Sequence, residues 1–318
     1  MTALRSGATP GLGAGSAVLA FDVGGTDTKA ALIDDDGRVR DIVRVTTPLR
    51  ETGTEDAVLD QVASLAAGFR DRHPSVSPRA AGLLVPGYVD EESGIGIFSE
   101  NLGWANVPFR DRASALLAVP VAFGHDVRGA GEAEYRLGAA APFQNVVVMA
   151  IGTGIAGAIF IDGKTYLGGG LAGEMGHSIV ADGPECACGG RGCLEAVASA
   201  GAIARRFNQL TGRNLPGAKE VLAAAHAGDT DARMIWESAL DALALDLSHT
   251  VALLAPEAIV IGGGLAGAGP ALFEPLRERL DALLTFHRRP VLLPASIGEN
   301  AGVIGAALKA RDLAGAAG

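Results

Sequence analysis

Cysteine is scarce in this chain: three stand in 318 residues, all within "GHSIVADGPECACGGRGCLE", residues 176–195. An odd count leaves one thiol over, and disulfide scaffolds belong to small secreted chains that lack a sufficient core. A composition that is 48% hydrophobic provides for two ordinary domains instead. Long apolar runs are missing too. No stretch offers about 18 uncharged apolar residues, so no membrane-spanning helix is expected. Residues 1–16, MTALRSGATPGLGAGS, lack the apolar run of a secretory signal and read as a disordered tail. Basic residues are outnumbered, 26 Lys and Arg against 36 Asp and Glu, for a formal charge of −10. That balance argues against a nucleic-acid surface, and an anionic substrate would need local backbone dipoles. The expectation is a cytoplasmic chain with neither nucleic acid nor membrane as partner.

In that setting clustered thiols more often hold metal than each other. His177, Cys186, Cys188 and Cys193 follow the pattern H-x8-C-x-C-x4-C. Three thiolates and one imidazole form the closed tetrahedral set of structural zinc, and four good ligands leave no open position for catalysis. Gly189, Gly190 and Gly192 let the backbone curl around an ion. The alternative is three inert thiols beside an unrelated histidine.

Two segments repeat one plan. "AVLAFDVGGTDTKAALIDDDGRV" (17–39) and "NVVVMAIGTGIAGAIFIDGKTY" (145–166) each read as strand, Gly/Thr turn, strand. Gly25-Thr26, Ala31 and Asp35 align with Gly152-Thr153, Ala158 and Asp162 at one constant offset, which suggests two related domains facing each other across a cleft. Further along, helices are expected over 54–72, 126–136, near 194–208, over 230–254 and near 300–312. Strands are expected at "AAGLLVPG" and "EAIVIGG". This alternation is that of α/β layers.

Glycine-rich turns expose successive N–H groups in a concave nest, and a threonine hydroxyl adds a donor, so such turns suit phosphate oxygens. The P-loop spacing is absent. The candidates are Gly24, Gly25 and Thr26; Gly152, Thr153 and Gly154; and Gly262, Gly263 and Gly264 of "IVIGGGLA". Asp22 could orient Mg²⁺ through its waters or serve as a buried strand-end carboxylate bonded to turn amides. Lys29 could approach a phosphate or lie on a solvated face. Trp104 and Trp236 read as packing residues.

With "DVGGT", "ENLGW", "HDVRGAGEAEYRLG", "IGTGIAG", "GEMGH", "CACGGRGCLE" and "IGGGLA" in place, the chain resembles the ROK family of bacterial sugar kinases and repressors from Phe21 to about Leu308. The resemblance implies a two-domain α/β fold of the actin-like ATPase (ribonuclease H-like) type, with a cleft between domains and a structural zinc loop. Expected boundaries are a small domain over 17–124 completed by a helix at 299–313, and a large domain over 125–298. Repressors of the family carry a helix-turn-helix ahead of the first phosphate loop, and that loop begins at Asp22, so the enzyme is the better reading.

The resemblance further implies phosphoryl transfer from ATP, with Mg²⁺, to a hexose hydroxyl, usually the 6-hydroxyl. Asp126 matches the family's catalytic base, although its position also fits a helix N-cap. A carboxylate suffices as base, because a loose phosphoryl-transfer transition state demands mainly alignment and charge neutralisation. Asn101, Glu174, His177 and Glu195 match the family's sugar contacts; the bland alternative for the two glutamates is solvated loop carboxylates. Glu174 lies three residues before His177, and Glu195 two after Cys193, so zinc would pin both. Relatives are commonly dimers or tetramers, and a homo-oligomer is expected.

One departure matters. Family glucokinases generally carry Asn-Asp where this chain has His125-Asp126. An imidazole is larger than an amide and offers a single donor–acceptor polarity. His125 could bond the sugar, reshape the pocket or merely pack. The wording around it most resembles a branch that includes N-acetylglucosamine kinases. Three functions stay in competition: an ATP-dependent sugar kinase, a sugar-sensing regulator of the same fold, and a polyphosphate-dependent phosphotransferase.

Overall fold

A computed structural model describes residues 2–3 and 11–316. Its contacts divide the chain into one unit of Met1–Ala133, Gly168–Leu171 and Glu299–Gly318, and a second of Glu134–Leu167 and Ala172–Gly298.

The first unit runs β1 (Thr2–Ala3), β2 (Val18–Val23), β3 (Asp27–Ile33), β4 (Val39–Thr46), α1 (Thr54–Arg72), β5 (Ala80–Val85), β6 (Tyr88–Asp90), β7 (Ile95–Ser99), β8 (Trp104–Val107), α2 (Phe109–Leu117), β9 (Val121–His125) and the start of α3 (Asp126–Leu137). Its main sheet has the order β1-β4-β3-β2-β5-β9, and β6-β7-β8 form a small separate sheet. The alternation of a strand buried on both faces is plain in β2. Leu19, Phe21 and Val23 enter one core with Val58, Val62 and Phe69 of α1, while Val18 and Ala20 enter another with Val303, Ala306 and Ala310 of the C-terminal helix. That helix lies close: a Cβ on Gly82 would strike the Ala306 carbonyl, so only glycine fits there.

The second unit runs β10 (Val146–Ile151), β11 (Ile155–Ile161), β12 (Lys164–Tyr166), α4 (Leu194–Ala198), α5 (Ala200–Thr211), α6 (Ala218–His226), α7 (Thr230–Leu254), β13 (Ala258–Gly262), α8 (Pro270–Leu283) and β14 (Val291–Pro294); α9 (Ala301–Ala316) returns to the first unit. Its sheet order, β12-β11-β10-β13-β14, reproduces that of β4-β3-β2-β5-β9, with antiparallel pairs followed by parallel ones. The two repeated sequence segments are thus the central hairpins of topologically equal sheets. The first turn is one residue longer, since Val23 pairs with Thr28 but Ile151 pairs with Ile155.

Several expectations need correction. Of the supposed tail, residues 1 and 4–10 lie outside the described residues, but 11–16 are tied down. Leu12 N–H donates to the Gly37 carbonyl at 3.0 Å, Gly15 N–H to the Asp35 carbonyl at 2.9 Å, and Arg311 reaches the carbonyls of Leu12 and Gly13. The helix expected near 194–208 is two helices, because Ser199 is extended and its Oγ accepts from the Ala202 N–H as a fresh N-cap. The division between units falls inside α3 rather than at residue 124. Arg128 is bonded within the first unit, whereas Glu134 accepts from the Ser296 and Ile297 amides of the second. None of the described helices is long and apolar enough to cross a membrane.

Candidate active site

In open α/β sheets ligands gather at the carboxyl ends of parallel strands. In the first unit those ends bring together Asp22 on β2, Val85 on β5 and His125 on β9, followed directly by Asp126. Asp126 opens α3 with one carboxylate oxygen accepting the Val127 N–H at 2.7 Å, and its side chain keeps 23% of its surface open. The same oxygen lies 3.3 Å from Nδ1 of His125. His125 itself is buried, and its Nδ1 takes the Arg128 N–H at 3.4 Å, so any bond from this imidazole to a ligand must come from Nε2.

Asp22 is packed tightly enough that a Cβ on Gly302, in the first turn of α9, would strike its carboxylate. Burial lifts its pKa to about 7, with the Asp126 carboxylate adding to the rise and Lys29 opposing it. A carboxyl raised this far is partly protonated near neutral pH, the mark of a site short of positive charge, and a cation placed there would draw the remaining proton off. The residues therefore suit Mg²⁺. Lys29 donates to the Glu299 carbonyl, so its ammonium is engaged at the start of α9 rather than free on a solvated face.

The first Gly/Thr turn is braced from beneath. Gly24 N–H donates to the Asp27 carbonyl at 2.9 Å, and Thr47 Oγ1 donates to the Gly24 carbonyl at 2.7 Å. Gly25 and Thr26 are left exposed at its tip. In the second unit, the turns after β10 and β13 stand side by side, because these strands are parallel neighbours. Gly263 has φ 80° and packs on the Ile151 backbone, a placement that requires glycine. Thr153, Gly263 and Gly264 are exposed. Asn101 is exposed in the turn joining β7 to β8, whereas Trp104 is 2% exposed against Phe109 and Trp236 lies in the second core; both indoles are packing residues.

The ligand atoms of His177, Cys186, Cys188 and Cys193 all lie within 4.8 Å of one another. Cys188 Sγ and Cys193 Sγ are 3.6 Å apart, and Cys186 Sγ is 3.7 Å from His177 Nδ1. Tetrahedral zinc would set these edges at about 3.8 and 3.6 Å, given bonds of about 2.3 Å to sulfur and 2.0–2.1 Å to nitrogen, so the donor set fits. Burial and the neighbouring sulfurs push the Cys193 thiol up to about 12, a position that a bound cation would reverse.

The loop presents two carboxylates. Glu174 Oε2 lies 4.0 Å from His177 Nε2, the imidazole nitrogen that faces away from the sulfurs. Glu195, in the first turn of α4, accepts the Ile155 N–H at 2.8 Å, and a Cβ on Gly154 would strike its carboxylate. Glu195 is thus no solvated loop carboxylate; it clamps the second Gly/Thr turn to the cysteine loop. Sequence reasoning passed over Asp246 of α7, which is buried and bonded to Ser178 Oγ directly after His177. Burial raises its pKa, with the Ser178 hydroxyl and His249 opposing. It also passed over Glu91, in the run "DEES".

A model of the ROK family matches residues 18–312. The chain belongs to the ROK family. It is 32% identical over 316 residues to a glucokinase of Streptomyces coelicolor, covering 92% of this chain and 97% of that one. It is equally 32% identical to an N-acetylmannosamine kinase of Escherichia coli, covering 92% and 98%. Among solved structures, the ROK hexokinase of Thermus thermophilus superposes with a TM-score of 0.82 at 32% identity, over 95% of this chain and all of that one. These ROK relatives place the two α/β units in the actin-like kinase fold.

Proposed function

We propose that this ROK-family chain, an ATP-dependent hexose kinase, transfers the γ-phosphoryl group to the 6-hydroxyl of a hexose or N-acetylhexosamine, with N-acetylglucosamine the preferred sugar. The observation that carries the reading is Asp126, a partly open carboxylate at a strand end, close enough to the half-buried Asp22 to raise its pKa. In this reading Asp126 accepts the proton of the attacking hydroxyl, and Asn101, His125, Glu174, His177 and Glu195 bond the ring hydroxyls. Gly24, Gly25 and Thr26 serve the phosphates, together with Gly152, Thr153 and Gly154 and with Gly262, Gly263 and Gly264. Asp22 would hold Mg²⁺ through its waters; the ion supplies neutralisation of phosphate charge.

Zinc takes no part in the chemistry here. His177, Cys186, Cys188 and Cys193 would hold it, and its role is to fix the loop that carries Glu174 and Glu195. The lean to a 2-acetamido sugar rests on His125 in place of the usual asparagine, and an acetamido-sugar kinase stands among the relatives at the same identity as a glucokinase. Glucose is the second reading, favoured by the Streptomyces coelicolor relative. The protein would work in the cytoplasm, as a homo-oligomer.

A panel of sugars in a coupled ADP-release assay, run on wild type and Asp126→Asn, tests the reading. Asparagine keeps the size but removes the proton acceptor and its charge. Turnover should fall at least about a hundredfold with little change in sugar affinity. Near-normal turnover in the variant would assign the base elsewhere.

A further inference from the structure

Arg128 sits two residues past the proposed base and has no place in the mechanism above, yet it is 2% exposed. Its Nε donates to Glu91 Oε1 at 2.8 Å, and the other Glu91 oxygen takes the Lys309 ammonium at 2.6 Å. Burial alone would raise Glu91, but the two cations outweigh it and hold the carboxyl below its usual range. The second arm of the guanidinium points elsewhere: NH1 donates to the Gly170 carbonyl at 3.1 Å. A planar fork can serve a carboxylate and a carbonyl in different directions at once, and an ammonium cannot. A buried ion pair is weak evidence for stability by itself; what needs explaining is the carbonyl.

That carbonyl belongs to Gly168–Leu171, a short strap of the first unit. Its three glycines have φ of 53°, 67° and 92°, all in the left-handed region, and two turn hydrogen bonds close it, Leu171 N–H to the Gly168 carbonyl at 3.3 Å and Ala172 N–H to the Leu167 carbonyl at 3.1 Å, so glycine freedom leaves it only lightly held by its own backbone. Two side chains add to that hold. Arg128 holds Gly170, and Tyr88 Oη donates to the Gly169 carbonyl at 3.3 Å. Packing reinforces them, since a Cβ on Gly170 would crowd the Val89 carbonyl and the Tyr88 ring. The chain leaves the strap at Leu171 and within a few residues reaches Glu174 and His177.

We propose that Arg128 is a positioning residue for sugar binding: it ties the glycine strap to the first turn of α3 and so fixes the point from which the chain enters the loop bearing Glu174 and His177. The inference rests on the reading of those two residues as sugar contacts. If the tie is cut, the strap samples several conformations and only a fraction of molecules presents the loop ready to bind. Apparent affinity falls by that fraction, whereas saturating sugar selects the ordered state and restores turnover. The signature is a rise in sugar KM with kcat kept.

Arg128→Lys preserves the charge on Glu91 but loses the second arm; Arg128→Met loses both, and Tyr88→Phe removes only the Gly169 bond. For Arg128→Lys we expect the sugar KM to rise about tenfold, with kcat within about twofold and the KM for ATP unchanged. Tyr88→Phe should shift the same quantity less. Amide hydrogen exchange in residues 168–171 should quicken in unliganded Arg128→Lys and slow again with saturating sugar. A merely structural arginine would instead lower kcat, the KM for ATP and thermal stability together. An unchanged sugar KM, unchanged strap exchange, or a kcat loss as large as the KM change overturns the proposal. Failure of the wild type to turn over any sugar would instead overturn the kinase reading, and the exchange measurement would still judge the tie.

Discussion

Replacing Asp22 with asparagine should stabilise the protein, and more so at high pH. The folded pKa is about 7 against an ordinary 3.8, with burial first, Asp126 second and Lys29 opposed. A carboxyl raised in the folded state binds its proton more tightly there than in the unfolded chain. Folding therefore loses stability as pH rises from the unfolded to the folded value, and the full cost is present above about 7. Each pH step within that window is worth about 1.4 kcal/mol. Asparagine copies the protonated form and does not titrate, so its advantage over wild type should grow by about 2–3 kcal/mol between pH 5 and pH 8. In thermal unfolding of a chain of 318 residues that is a difference of about 3–5 °C in the gain in Tm. The same residue should make Mg²⁺–ATP binding release about half a proton at pH 7, read as the buffer dependence of the calorimetric heat; the asparagine variant should release none through this site. An equal Tm gain at both pH values, or a loss at pH 8, would refute the assignment of the raised group to Asp22.

Other consequences follow from the cysteine loop and from His125. Metal analysis should return about one Zn²⁺ per chain, and Cys188→Ala should lower both that content and sugar binding; full activity in metal-free protein would sink the role given to the loop. His125→Asn should shift the ratio of specificity constants from N-acetylglucosamine toward glucose by about 1–3 kcal/mol, the scale of one misfitted polar group. A wild type that prefers glucose, or a ratio unmoved by the substitution, would leave His125 as packing only.

The architecture was legible because its markers are local. The near-continuous apolar runs "VLAFDV" and "VVVMAI" announce strands buried on both faces, and the Gly/Thr turns mark where each hairpin reverses. Helix α1 was expected over 54–72 and runs Thr54–Arg72, since Gly53 breaks the backbone before it and the apolar spacing is regular. The misses came from contacts that no local pattern encodes. Ser199 splits one apparent helix because its hydroxyl outcompetes helix continuation at the Ala202 amide. The glycines of residues 11–16 looked like a free tail, but Arg311, nearly the whole chain away, holds their carbonyls.

The candidate site divides along the same line. Cysteine spacing forecasts a cluster because four ligands on one loop must converge for any of them to be useful, and their atoms do converge. Nothing in the spacing says that Glu195 closes back on the Ile155 amide. That single hydrogen bond links the cysteine loop to the second Gly/Thr turn, so under the proposed function loosening the loop should be felt at the proposed phosphate turn as well as at the proposed sugar contacts. Glu91 and Arg128 are the harder case. They lie far apart in sequence and carry opposite charges, and no local pattern pairs them. Only the tertiary fold shows that the buried arginine pairs with a largely covered Glu91 and has an arm left over for Gly170. Buried charge is costly, and Arg128 has one guanidinium nitrogen, NH2, without a hydrogen-bond partner, so the pair beside the proposed base is best explained by what the arm on Gly170 positions.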